Sequence, residues 1–209
     1  GITDLNLDLM YGLPFQCRDS FGRSADLAIG LAPERMTLFG YAHVPWMFSH
    51  MKLIRDEDLP NAEERLILFN EALERLNAAD YIHIGLDHFS KAGSEMDVAQ
   101  QEGRLHRNFQ GYTTDTAKTL LAFGASAIST LPSGFIQNKS AARDYMSAIK
   151  DGGLATARGV GLSNDDRLRS DIIERLMCNF HVDLEAVCDQ YGVPVRELAG
   201  DMDKLQPLI

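Results

Sequence analysis

The sequence predicts an α/β protein: the strands and helices of part of an open barrel, followed by a mostly helical C-terminal region. Three observations carry that expectation. Residues 2–12 alternate, with Leu5, Leu7 and Leu9 on one side and Asp4, Asn6 and Asp8 on the other, the period of two that a strand requires. A helical spacing and a second strand follow over short loops, which is the signature of a parallel sheet. From residue 139 onward helical spacings with capping signals dominate.

Each element follows in order. Gly12 and Pro14 turn the chain after the first strand. Residues 19–31 carry Phe21, Ala25, Ala28 and Ile29 at helical spacing and stop before Pro33, because the position before a proline disfavours the α region. Residues 35–42 form the second strand, and residues 43–60 a long loop rich in Met and aromatic side chains. Residues 61–79 give the clearest helix, with Leu66, Phe69, Leu73 and Leu76 as its stripe and Glu and Arg opposite. Residues 81–89 read as a third strand, residues 95–103 as a polar helix, and residues 115–123 as a further helix. Short strand-like runs at 125–130 and 134–138 come next, then a helical stretch at 139–152 and a glycine break at 159–161. Ser163 and Asp166 make a capping-box pattern ahead of a stripe of Leu168, Ile172 and Leu176. Residues 183–191 are the last helix, closed by Gly192 and Pro194. A boundary at 139 separates an α/β region, 1–138, from a mostly helical region, 139–209.

Composition narrows the function classes. With 209 residues, 45% hydrophobic and 24% charged, the chain suits a globular fold with a core. A net charge of −10 without a basic cluster argues against nucleic acid or an anionic membrane as partner. No apolar run approaches the roughly 20 residues of a membrane span, and the first residues do not resemble a signal peptide. Cys17, Cys178 and Cys188 have no metal-binding spacing; they are expected to be core thiols in a reducing cytosol, and the location expected is cytoplasmic. The chain starts without Met and enters a strand within about three residues of its start. Domains rarely open inside a buried strand, so part of a longer protein is expected.

Several segments offer chemistry. Polar residues on one face of the first strand imply a wet, ligand-holding interior, with Asp8 near the C-terminal end where barrel enzymes place their sites; a solvated edge is the competing reading. In residues 103–114, Arg104 and Arg107 could clamp a carboxylate, and Phe109 and Tyr112 could stack on a planar ligand, although a polar surface loop accounts for the same residues. His83 and Asp87 share a strand face and His88 lies opposite, so the three do not converge on a metal. The small side chains of residues 125–129 allow close approach of backbone to a ligand.

Five segments in order, NLDLMYGLP (6–14), LFGYAHVP (38–45), GLDHF (85–89), LHRNFQGYTT (105–114) and GASAIS (124–129), resemble oxygen-independent coproporphyrinogen III oxidase of the radical S-adenosylmethionine superfamily. CNF at residues 178–180 extends the resemblance. It implies the last strands of a three-quarter (β/α)6 radical-SAM barrel, with residues 2–10 and 35–42 as the fifth and sixth, followed by a mostly helical C-terminal domain. Asp8, Phe39 and Ala42 match positions that hold the ribose and adenine of S-adenosyl-L-methionine; Phe109, Gln110 and Ile128 match positions tied to a second molecule of it. The family's C-x-x-x-C-x-x-C motif is absent from this sequence. A 4Fe-4S cluster is therefore expected in the complete enzyme and not in this piece, which alone is expected to be inactive and to contribute no catalytic residue. By the same resemblance the complete enzyme converts two propionates of coproporphyrinogen III to vinyl groups in porphyrin and haem biosynthesis. Two other readings stay open: a haem-binding chaperone of the same superfamily, and an unrelated phosphate- or sugar-handling α/β barrel. An open sheet edge left by missing strands is expected to promote self-association.

Overall fold

Alternation in the first strand decides which side of the sheet is packed. In the computed structural model, which describes residues 4–205, β1 (Asn6–Tyr11) pairs in parallel with β2 (Arg35–Gly40), Leu7 opposite Met36 and Leu9 opposite Leu38. The start of the expected strand, at Ile2, lies outside the described residues. α1 (Arg18–Gly30) connects the two strands, and α2 (Ala62–Ala78) follows them. Phe21, Ala25 and Ala28 of α1, Leu68, Ala72 and Leu76 of α2, and Met36 and Leu38 of β2 form one core, against which Leu7, Leu9 and Tyr11 pack. Burying such side chains contributes about 1.5–3 kcal/mol each, so the leucines commit β1 to that face. Asn6, Asp8 and Met10 are left exposed on the other.

The start of α2 follows from its sequence: the Asn61 side chain accepts from the Glu64 N–H at 3.0 Å, and Glu64 accepts from the Asn61 N–H at 2.8 Å. Of its expected stripe, Leu76 is buried and Phe69 and Leu73 pack against the core; Leu66 is instead 59% exposed, and Leu68 and Ala72 are buried in its place. The Glu71 carboxylate, 8% exposed, accepts from Arg18 of α1 and from Arg75, whose Nε is 2.8 Å away. Bonds from Arg18 and then Arg75 hold its carboxyl below the usual range. A depressed carboxylate stabilises the fold above its unfolded value, about 4.3, and that stability is lost as pH falls through the lower folded value. Melting temperature is expected to fall less steeply below about pH 4.3 in Glu71→Gln than in the parent. Thermal melts across that window check this, and parallel curves would remove Glu71 from the account.

Residues 81–89 are not one strand. Gly85, at φ 58°, turns the chain where a side chain would be strained, giving a hairpin of β3 (Tyr81–Ile84) and β4 (His88–Lys91). β4 pairs antiparallel with β2, so the sheet runs β1-β2-β4-β3. α3 (Glu95–Gln101), capped by Ser94, packs on this hairpin; the Gln100 side chain accepts from the Gly85 N–H at 2.8 Å and donates to the His83 carbonyl at 3.0 Å. The face opposite α1 and α2 is thus covered over β3 and β4, where Ile84, His88 and Ser90 are buried. It stays open over β1 and the end of β2.

The compact units divide as Gly1–Leu105 and His106–Ile209, earlier than the expected boundary at 139. The reason lies in a strand that was expected to be a break. β7 (Ile128–Leu131) and β8 (Gly134–Asn138) pair with β9 (Thr156–Gly161) in one antiparallel sheet, so residues on both sides of 139 belong together. Gly159 sits in β9 because a Cβ there would meet the Phe135 carbonyl oxygen at 3.0 Å. Earlier in this unit, β5 (His106–Asn108) and β6 (Gly111–Thr113) form a short hairpin. Residues 115–123 are not helical. The Thr113 hydroxyl accepts from the Asp115 N–H and the Asp115 carboxylate from the Ala117 N–H, local bonds that compete with a helix; Leu120 then bridges to Thr130.

α4 (Ala142–Lys150) lies between β8 and β9, and α5 (Asn164–Asn179) begins at the expected Ser163–Asp166 capping box. α6 (Leu184–Tyr191) is capped by Asp183 and closed by Gly192 at φ 66°, ahead of α7 (Ala199–Leu205). Leu168, Val187, Cys188 and Leu198 form this unit's core with Ile172 against them. Leu176, expected in the stripe, is 41% exposed, whereas Cys178 two residues on is buried.

Candidate functional site

Ligands of parallel α/β sheets bind at the carboxyl ends of the strands, and here that edge belongs to β1 and β2. Register puts Asp8 beside Thr37 and Met10 beside Phe39, so Asn6, Asp8, Met10, Thr37 and Phe39 share the face away from the core. Asp8 is exposed and its Oδ1 accepts from the Asn6 side chain at 2.8 Å. The second carboxylate oxygen is open to a diol, and the Phe39 ring, 41% exposed, offers a flat apolar surface. Ala42 is exposed just past the end of β2. The register sets Asp8 in mid-strand and Ala42 beyond the end of β2.

Two loops leave this edge, and side chains hold both. The Gln16 side chain accepts from the N–H groups of Gly12 (2.6 Å) and Leu13 (3.3 Å) and donates to the Met10 carbonyl (3.1 Å). After β2, the Tyr41 N–H extends the ladder to the Tyr11 carbonyl at 2.7 Å, Arg65 of α2 donates to the Tyr41 carbonyl at 2.7 Å, and His43 lies 3.4 Å from Asp56. Sequence reasoning passed over Gln16 and Arg65. The available signal was a Tyr-Gly pair and a Gly-Tyr pair at the ends of adjacent strands, with no side chain at either glycine to fill the gap.

In the second unit the β5–β6 hairpin turns at Phe109 and Gln110, with Gly111 at φ 126°. A cavity of about 740 Å3 lies beside it, lined among others by Arg107, Phe109, Lys118, Phe135, Ile173 and Glu174. Phe109 meets Phe135 edge-on at 5.4 Å. Gln110 is exposed at the turn, and Ile128 opens β7 opposite Gln137. The Arg107 guanidinium lies 4.6 Å over the Tyr112 ring, whose hydroxyl donates to the Met177 carbonyl at 2.9 Å. Glu174 is 3.1 Å from His106 Nδ1 and accepts from the Arg107 N–H. The arginines considered as a carboxylate clamp are each engaged locally: Arg104 with Glu102 at 2.7 Å in the first unit, Arg107 with Tyr112 in the second.

Cys178 and Cys188 are buried, and burial pushes the Cys178 thiol up to about 11. Cys17, expected in the core, is instead exposed at the N-cap of α1, where a hydrogen bond with the Ser20 side chain lowers it. Among the described residues no group of three or more His, Cys, Asp or Glu could hold a metal ion. No helix among them is long and apolar enough to cross a membrane.

No protein-family model matches the chain. Over its whole length the chain is 45% identical to the oxygen-independent coproporphyrinogen III oxidase of Bradyrhizobium diazoefficiens and 43% identical to the protein of that name from Salmonella typhimurium. It spans 46% of each, about half the length of these curated relatives. Coproporphyrinogen III oxidase from Escherichia coli, solved as a radical SAM enzyme, superposes on all of this chain with a TM-score of 0.91 at 39% identity, using 48% of its own length. The strands and helices described above superpose on a portion of that radical SAM enzyme.

Proposed function

We propose that this chain is part of an oxygen-independent coproporphyrinogen III oxidase. The observation that carries the reading is likeness in sequence and in fold over the whole chain. Asp8 would take the ribose hydroxyls of S-adenosyl-L-methionine, Phe39 its adenine ring and Ala42 its edge by backbone. An exposed carboxylate and an exposed aromatic ring on one sheet face support that assignment. Phe109, Gln110 and Ile128 would serve a second molecule of it. When bound in a complete enzyme, S-adenosylmethionine supplies a 5′-deoxyadenosyl radical. The thiols of this chain do not fit a 4Fe-4S cluster, which needs convergent cysteines; its ligands would come from the remainder of a complete enzyme.

This chain's residues would bind, orient and exclude water, since the cofactor supplies the hard chemistry. At each of two propionates the substrate would lose carbon dioxide, a hydrogen atom to the 5′-deoxyadenosyl radical and one electron to a one-electron acceptor from outside this chain, leaving a vinyl group. The product is protoporphyrinogen IX, and the setting is haem biosynthesis in the cytoplasm, with no part for nucleic acid or membrane. The test is an anaerobic assay of the full-length protein, reconstituted with iron and sulfide and given reductant, S-adenosylmethionine and coproporphyrinogen III. Two carbon dioxide molecules per macrocycle and the fluorescence of oxidised protoporphyrin are expected. Stoichiometric haem binding without decarboxylation would replace this reading with a carrier.

A further inference from the structure

The guanidinium of Arg65 fills the gap between the ends of β1 and β2. Its Nη1 donates to the Tyr41 carbonyl at 2.7 Å, and its Cζ lies 5.8 Å from the centroid of the Tyr11 ring. Two glycines leave room for it. A Cβ on Gly12 would come within 3.3 Å of Arg65 Cζ and Nε, and one on Gly40 within 2.9 Å of Arg65 Nη2 and 3.2 Å of the Tyr11 hydroxyl. Tyr11 and Gly40 are partners on the last rung of the parallel ladder, and the Tyr41 N–H adds one more bond, to the Tyr11 carbonyl.

Residue 41 is therefore held on both sides, its N–H by β1 and its carbonyl by Arg65. In a trans peptide the next N–H points opposite to the carbonyl, so the Ala42 N–H is turned away from Arg65. It has no protein acceptor among the described residues. We propose that Arg65 is a positioning residue that orients the Tyr41–Ala42 peptide and so presents the Ala42 N–H to an adenosyl ligand at the strand ends. This rests on the reading of that edge given under the proposed function. Gly12 and Gly40 belong to the same device, because a side chain at either would displace the guanidinium.

The test uses the full-length protein with S-adenosylhomocysteine as probe, titrated calorimetrically, and hydrogen exchange over residues 38–45. Arg65→Met is expected to bind about tenfold more weakly, the scale of one lost polar contact, with faster exchange at the Tyr41 amide. Arg65→Lys keeps a donor and is expected to recover most of the affinity, a rescue that loss of packing alone does not allow. Gly40→Ala keeps Arg65 but pushes its guanidinium aside, and is expected to weaken binding to a similar extent. If the parent binds the probe and Arg65→Met matches it within about twofold, Arg65 does not position the ligand site. Should Arg65→Met fail to fold, Gly40→Ala decides, and unchanged affinity there overturns the proposal. A parent that binds no adenosyl ligand removes the reading of the edge itself, and this proposal with it.

Discussion

Gly134→Ala is expected to destabilise the second unit by about 4 kcal/mol or more, in the tail reserved for severe steric or packing defects. A Cβ at this position would lie 2.0 Å from the Val160 carbonyl oxygen, 2.9 Å from its carbon and 3.0 Å from the Gly161 Cα. All of these atoms are backbone in β9, so no flexible side chain can yield. Relief requires β8 and β9 to part by more than the sheet tolerates, breaking the pairing from Gly134–Gly161 to Asn138–Thr156. Gly152→Ala is the control: Gly152 also has positive φ, 76°, but open space around it, so only the left-handed backbone cost of about 1–2 kcal/mol applies. Urea midpoints of the two variants check the difference. Equal losses would mean that backbone conformation, and not the approach of β9, makes Gly134 necessary.

Asp8→Ala in the full-length protein is expected to weaken S-adenosylhomocysteine binding by about 10- to 150-fold. A charge-assisted hydrogen bond to a sugar hydroxyl contributes about 1.5–3 kcal/mol, and each 1.4 kcal/mol is tenfold in affinity. Asp8 is exposed and its bond within the fold is to the neighbouring Asn6 side chain, so melting temperature should change little. Asp8→Asn keeps shape and one acceptor and should fall between the parent and the alanine variant. Calorimetric titration beside a thermal melt separates the two effects. Affinity within about twofold of the parent in Asp8→Ala would place the ribose elsewhere.

The sequence by itself determined the elements whose signals are local. Leu7 and Leu9 against Asn6 and Asp8 settle the two faces of β1, because a strand's side chains alternate whatever it pairs with. Asn61 and Glu64, and Ser163 and Asp166, start their helices through bonds spanning three residues. The ordered motifs carried the resemblance and matched Asp8 and Phe39 to one ligand, while the register Asp8–Thr37 and Met10–Phe39 is what puts them on one face. Tertiary structure alone decided what depends on a distant partner. Glu71 is buried beside the apolar stripe of α2 because Arg18 reaches it from 53 residues away, a partner that no local pattern announces. β9 was hidden because glycine, a strand breaker by propensity, is there the one residue that lets the Phe135 carbonyl come close. Arg65 was invisible for the same physical reason: the gap it fills exists only once two strands, separated in the chain by a helix, lie side by side.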